Sequence, residues 1–337
     1  MTKIEIIKLL GKIIEPDTNK TLEELDAIKS LNILTNKVVD VVIKLPSLNH
    51  LEDIKRQVAT IIKIDLAYPG VKIDITKDLS IKEEVVVSND SSKIKYLAIA
   101  SGKGGVGKSS VTANLAYAFK RLGKKVGIID VDIYGASIPF VLDMKIKPLD
   151  LDDEGKIIPA NFEGIQIIST EFFVPRDKPL MWRAPIASQM TKMFFESVAF
   201  HEDTEIVLID MPPGTGDIAI DVRELLPKSD MIIVTTPNIP ASNIAVKAGL
   251  GSKEIGHNII GVIENMSFYY NACSKEKEYI FGTGGAELVA EKIGVDIIGK
   301  IPLTTITENT ILFDMTTIQG KIFMQIAANY LERIKKW

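Results

Sequence analysis

The sequence predicts an α/β protein in two parts: a small α+β unit, then a mostly parallel sheet flanked by helices. Three observations carry this. From Lys95 onward, short Ile/Val/Leu runs alternate with helix-length segments. Those runs are nearly unbroken in apolar character, as strands buried on both faces of a parallel sheet are. A glycine-rich stretch, Gly102 to Ser109, lies between the first of these runs and a helix-forming segment.

The first unit covers residues 1–77. Ile4, Ile6, Ile7, Leu10 and Ile14 form a helical stripe that Pro16-Asp17 ends. Lys37 to Leu45 is a β-branched strand run, broken by Pro46, and Leu51 to Ile64 returns to helical spacing. Tyr68-Pro69-Gly70 is a turn, and Val71 to Ile75 alternates as a strand does. Residues 78–93, rich in Lys, Glu, Ser and Asn, read as a linker with a short strand at Val85 to Val87.

The second unit covers residues 94–337. Strands are predicted at Tyr96–Ala100, Val126–Asp130, Ile165–Ile168, Ile206–Asp210, Met231–Thr235, Ile259–Glu264 and Ile297–Lys300. A helix is predicted from Ser110 to Leu122, closed by Gly123, and another from Lys321 to Trp337. The last carries an apolar stripe and a basic end, a pattern shared by a basic amphipathic helix that lies on a membrane and by a last helix docked on the sheet, of which the docked helix is expected.

Composition narrows the class. At 46% hydrophobic and 25% charged, the 337-residue chain is that of a soluble globular protein. A net charge of −4 excludes a nucleic-acid binder driven by bulk electrostatics. The single cysteine excludes an internal disulfide framework and suits a reducing compartment. The N-terminus has no signal-peptide pattern, and no apolar run reaches the ~20 residues that span a bilayer. A cytoplasmic protein without membrane attachment is expected.

The sharpest motif is Gly102-Lys103-Gly104-Gly105-Val106-Gly107-Lys108-Ser109, which satisfies G-x-x-x-x-G-K-[ST] between a strand and a helix. Its glycines let backbone N–H groups converge on a phosphate, and Ser110 continues the helix start. Lys108 is placed to reach the β/γ-phosphates and the Ser109 hydroxyl to ligate Mg²⁺. Asp130 and Asp132 sit two residues apart at the carboxyl end of a strand, where α/β sheets bind ligands. Asp210 ends a later strand and precedes Met211-Pro212-Pro213-Gly214-Thr215-Gly216-Asp217. Asp210 is placed to hold Mg²⁺, and the Gly-rich turn after it, with Gly214 as its nucleotide-binding residue, to present an N–H to the γ-phosphate. No N-K-x-D motif with the right spacing for guanine occurs, which favours ATP.

The second loop lysine, Lys103, together with the D-x-D and D-x-P-P-G-T-G-D stretches, resembles the deviant Walker A ATPases of the MinD, ParA and nitrogenase iron-protein class. Within that class the chain is similar to the Mrp/ApbC iron–sulfur carriers. The likeness rests on Ser101–Ser110, Asp130–Ser137, Met181-Trp182-Arg183-Ala184-Pro185, Asp210–Asp217, Glu264-Asn265-Met266-Ser267 and Ile280–Gly285. It covers nearly the whole chain, including an N-terminal domain like the one shared with iron–sulfur assembly factors.

The resemblance implies a homodimer in which Lys103 reaches the partner's nucleotide. It also implies that Asp132 orients the attacking water and that Asp130 supports the metal shell. Asn265 would bond the adenine, and Ile301-Pro302-Leu303 would pack on the base. The implied cargo is an iron–sulfur cluster, delivered to apo client proteins or shared with assembly factors. Here the chain departs from the pattern. Without gaps, the family's C-x-x-C positions fall on Asn271 and Ser274, and the sole thiol, Cys273, lies between them. Two copies supply two thiolates where a [4Fe–4S] cluster takes four. His50, His201 and His257 show no metal-ligand spacing. A MinD/ParA-like regulatory or positioning ATPase that carries no cluster is the alternative.

Overall fold

The computed structural model describes residues 3–16, 20–34, 37–45, 50–77, 94–173, 184–271, 273–305 and 312–335. The chain divides into two compact units, Met1–Val86 and Val87–Trp337. The expected linker at 78–93, with its strand at Val85–Val87, lies outside the described residues, as does the segment Met181-Trp182-Arg183.

In the first unit, α1 (Lys3–Leu10) leads to β1 (Ile14–Glu15) and β2 (Lys20–Thr21), a two-stranded antiparallel ribbon. Then follow β3 (Ile28–Ile33), β4 (Val38–Leu45), α2 (Leu51–Thr60) and β5 (Gly70–Lys77). β4 is the middle strand, antiparallel to β3 and parallel to β5. Its alternating inward residues, Val39, Val41, Ile43 and Leu45, pack with Ile6, Leu10, Ile54, Val58 and Ile62 in one core. Two expectations are corrected. The first helix stops at Leu10, because the Gly11-Lys12 turn follows it, and Ile14 becomes an exposed residue of β1. The helix from Leu51 runs regularly only to Thr60 and ends in a π-helical turn, Ile61–Asp65.

The second unit begins with β6 (Lys95–Ser101), α3 (Lys108–Arg121), β7 (Val126–Asp130) and α4 (Ile138–Val141). It continues through β8 (Ala160–Phe162), β9 (Ile165–Ser169), α5 (Ala184–Glu196), β10 (Ile206–Pro213) and α6 (Asp217–Leu225). Next come β11 (Asp230–Thr235), α7 (Ile239–Glu254), β12 (Asn258–Glu264) and the short strands β13 (Tyr269–Tyr270) and β14 (Lys277–Glu278). The unit closes with α8 (Gly285–Ile293), β15 (Ile297–Lys300) and α9 (Ile318–Lys335).

Eight strands form one sheet in the order β15-β12-β11-β6-β10-β7-β9-β8. All its pairings are parallel except that of the edge strand β8, whose three residues turn back on β9. β7 is buried at every position, as its unbroken apolar run requires. Helix α3 lies in the same core as α9, where Phe119 and Tyr330 meet edge to face at 5.7 Å. Among the described residues no helix is long and apolar enough to cross a membrane.

Candidate functional site

The site forms where β6 ends. Being central, β6 carries its C-terminal loop between the ends of β10 and β11. Gly102 passes so close to α7 that a Cβ there would stand 2.5 Å from the backbone nitrogen of Ala245. Gly105 and Gly107 take left-handed backbone angles, φ +82° and +83°, which glycine adopts without strain. Gly107 then caps α3, so the helix begins at Lys108, two residues before the expected Ser110. Gly104 and Gly105 face open space, and Val106 is buried.

Lys108 is buried against two carboxylates. Its Nζ lies 2.6 Å from Asp210 Oδ2 and 3.5 Å from Asp132 Oδ2. The Ser109 hydroxyl donates to the same Asp210 oxygen at 2.6 Å. Burial alone would pull the Lys108 ammonium down, but the facing Asp210 and Asp132 carboxylates outweigh it and hold it above its ordinary range. Asp132 is pushed up by burial, against the pull of Lys108, and its side chain keeps 14% exposure.

Asp130 and Asp210 are direct neighbours across β7 and β10. Burial first, and the Asp210 charge second, push Asp130 up to about 7. Its carboxylate is turned toward α4, where Oδ2 accepts from the Ser137 and Ile138 amides at 3.1 and 3.2 Å. The same oxygen takes the Ser169 hydroxyl at 3.1 Å, while Oδ1 takes the Asp132 amide at 3.3 Å. Asp130 thus holds the loop that presents Asp132.

On the other side, the Gly214 amide donates to the Ser101 carbonyl at 2.8 Å, tying the loop after β10 to the glycine loop. Asn265 Nδ2 donates to the Val106 carbonyl at 2.9 Å and presses on Gly107. Pro302 is buried, its carbonyl accepting from Gln319 Nε2 at 3.2 Å. Lys103 is exposed.

The fold therefore gathers Lys108, Ser109, Asp132 and Asp210 at one point, with Asp130 behind them and Asn265 on the loop. Cys273 is an exposed free thiol between β13 and β14, in a turn built on Asn271, whose Oδ1 accepts from the Cys273 and Ser274 amides at 2.9 and 3.2 Å. Among the described residues no group of three or more His, Cys, Asp or Glu side chains is arranged to hold a metal ion.

Sequence reasoning missed Thr112. Its buried hydroxyl donates to Asp210 Oδ1 at 2.6 Å, so that both Asp210 oxygens are held from α3. The signal was its spacing, four residues beyond Lys108 and so on the same helix face. Ser169 and Glu264 were missed too, and neither carries a spacing that marks it.

A ParA-type family described as NUBPL iron-transfer P-loop NTPase matches residues 93–332. The chain belongs to this family. It is a P-loop NTPase, and the stretch from Gly102 to Ser109 carries the P-loop pattern. An iron-sulfur cluster carrier protein from Bacillus subtilis (strain 168) is 37% identical over 311 residues, covering 89% of this chain and 87% of that one. One from Methanocaldococcus jannaschii is 40% identical over 232 residues, covering 68% of this chain and 79% of the relative. Among solved structures, a nucleotide-binding protein from Archaeoglobus fulgidus in complex with ADP is 30% identical, with a TM-score of 0.56. It covers 71% of this chain and 91% of that one. The cell division ATPase MinD of Pyrococcus furiosus, 22% identical with a TM-score of 0.50 over 71% of this chain and 99% of its own, shares the fold.

Proposed function

We propose that this P-loop NTPase is an ATP-hydrolysing iron–sulfur cluster carrier that acts as a cytoplasmic homodimer. The observation that carries the reading is the buried cluster of Lys108, Ser109, Asp132 and Asp210 at the end of the glycine loop. Lys108 supplies positive charge where phosphate charge gathers, and such preorganised charge is worth several kcal/mol in phosphoryl transfer. Ser109 Oγ and Asp210 Oδ2, 2.6 Å apart, are hard oxygen donors that suit Mg²⁺. That ion, when bound, neutralises phosphate charge. The Gly214 amide is committed to the Ser101 carbonyl, so what the turn after β10 offers the terminal phosphate is its loop and not the Gly214 N–H. Asp132, partly exposed and with Oδ2 3.5 Å from Lys108 Nζ, is the acceptor that orients water. Asp130 supports it through the loop amides.

Base selection follows from a committed amide. Asn265 Nδ2 is engaged by Val106, so the remaining Oδ1 is an acceptor. An acceptor fits the exocyclic amine of adenine and repels the O6 of guanine. Pro302, on the segment after β15, would pack on the base. The ADP bound to the Archaeoglobus protein supports this reading.

The homodimer reading draws on Lys103, exposed beside the site, and on α7. The α7 backbone abuts Gly102, and its Ile239, Ile244 and Leu250 are exposed. Large apolar residues exposed on a helix beside a site suit a partner surface. Iron–sulfur cargo is supported by the names of the relatives and by the exposed Cys273. The absence of cysteine at Asn271 and Ser274 favours one rival, a MinD/ParA-like switch without cargo. Anaerobic purification with iron, sulfide and ATPase assays separates them. The carrier reading expects labile iron lost on Cys273→Ala, whereas robust ATPase activity without iron under any condition would select the switch.

A further inference from the structure

The buried carboxylate of Glu264, at the carboxyl end of β12, has no part in the proposed chemistry, yet several segments meet on it. Only 2% exposed, it accepts the Ser267 hydroxyl on Oε1 at 2.6 Å and the Ala286 amide on Oε2 at 2.9 Å. Lys300 Nζ stands 3.6 Å from Oε1 and pairs with Glu287 at 2.5 Å. Ser267 opens the excursion that holds β13, Cys273 and β14, and Ala286 lies where that excursion re-enters the fold as α8. The re-entry is closely packed, because a Cβ on Gly285 would stand 2.5 Å from the Thr236 carbonyl oxygen. The residue after Glu264 is Asn265, which rests on the glycine loop, and the Glu264 carbonyl accepts the Ile301 amide at 2.8 Å, just before Pro302.

We propose that the Glu264 carboxylate is a positioning joint. It holds the base-contacting segments, Asn265 and Ile301-Pro302, in fixed relation to both ends of the Cys273 excursion, so that nucleotide binding and access to Cys273 are coupled through it. The proposal rests on the nucleotide reading given above and adds to it the route by which the two sites communicate. A carboxylate suits this place because both partners that close the excursion are donors and it is an acceptor on both oxygens. It also faces the positive end of α8. A glutamine keeps one acceptor and sets an N–H₂ against the second donor, so Glu264→Gln should be intermediate and Glu264→Ala complete.

The test compares wild type, Glu264→Gln and Glu264→Ala as full chains. Three quantities are read: affinity for fluorescent Mg·ADP, affinity for inorganic pyrophosphate, and the rate of Cys273 alkylation with and without Mg·ADP. Glu264→Ala should lose about tenfold in ADP affinity, the scale of one hydrogen bond to a charged group. Pyrophosphate, which is held by the glycine loop without the base segments, should lose clearly less affinity than ADP, by way of the Asn265–Val106 contact alone. Mg·ADP should change the alkylation rate in wild type and not in Glu264→Ala. If that variant fails to fold, Glu264→Gln carries the same comparison at reduced amplitude. Equal ADP affinity and an equal nucleotide response in a folded variant would overturn the joint, as would parallel loss of pyrophosphate binding. A wild-type protein whose alkylation ignores bound Mg·ADP would also overturn it. A wild-type protein that binds neither ADP nor pyrophosphate would instead defeat the nucleotide reading. The coupling would fall with it, because it needs bound nucleotide, whereas a failure of the joint alone leaves wild-type ADP binding intact.

Discussion

Lys108 is buried between Asp210 and Asp132, so its removal acts twice. Lys108→Ala should abolish ATP hydrolysis and weaken Mg·nucleotide binding. It also leaves two carboxylates facing each other, a loss on the scale of about 3–5 kcal/mol for a broken buried pair. Asp132→Ala should keep binding and lose turnover, and hydrolysis at the wild-type rate would remove Asp132 from the water-orienting role. Thr112 gives a finer test. Thr112→Val takes away the donor to Asp210 Oδ1 and should cost about 1–3 kcal/mol in thermal unfolding and weaken the Mg²⁺ dependence of binding, while Thr112→Ser retains both. Equal behaviour of Val and Ser would show that the hydroxyl does not position Asp210.

At the scale of elements, the burial of Asp130 on β7, directly beside Asp210 on β10, makes stability depend on pH. The folded carboxyl is pushed up to about 7 from an ordinary 3.8. It therefore keeps its proton where the unfolded chain has lost it, and its contribution is fully present below 3.8 and is lost as pH rises to about 7. Asp130→Asn should flatten this part of the profile of melting temperature against pH, and an unchanged slope would place the titration elsewhere. The glycine loop makes a second prediction of this kind. Gly102→Ala forces a Cβ onto the α7 backbone and should destabilise by about 1–3 kcal/mol, whereas Gly104→Ala enters open space and should melt like wild type.

For the whole molecule, the placement of Lys103 outside its own cluster gives the sharpest test of assembly. Lys103→Ala and Asp132→Ala subunits, each inactive alone, should recover part of the ATPase activity when mixed if the lysine acts across a dimer. Full activity of Lys103→Ala as a monomer would end that reading. Cys273 offers the second test at this scale. An exposed thiol on a hairpin, one per chain, leaves iron sites to be filled by other ligands, so reconstituted cluster should be substoichiometric and oxygen-labile. A stable full-occupancy cluster in Cys273→Ala would place the ligands elsewhere.

Much of the architecture was legible in residue order. Strands buried on both faces announce themselves by unbroken Ile/Val/Leu runs, and seven such runs correspond to strands of the large sheet. The glycine loop is read from spacing alone, because phosphate-binding backbone needs glycine where φ is positive, as at Gly105 and Gly107. Short elements were not legible. β8, β13 and β14 have two or three residues each, too few for periodicity to register, and β3 lacks a clean alternation. Ile14 looked helical because a four-residue spacing does not reveal the Gly11 turn inside it. The partners within the site were beyond reach for a different reason. Thr112 and Asp210 are 98 residues apart, Asn265 and Val106 are 159 apart, and Glu264 reaches Ala286 across an excursion of 22. Local chemistry sets which residue types stand at strand ends. Which of those ends meet depends on strand order, and β6 lies between β10 and β11 because of packing across the whole sheet, which no local window of sequence contains.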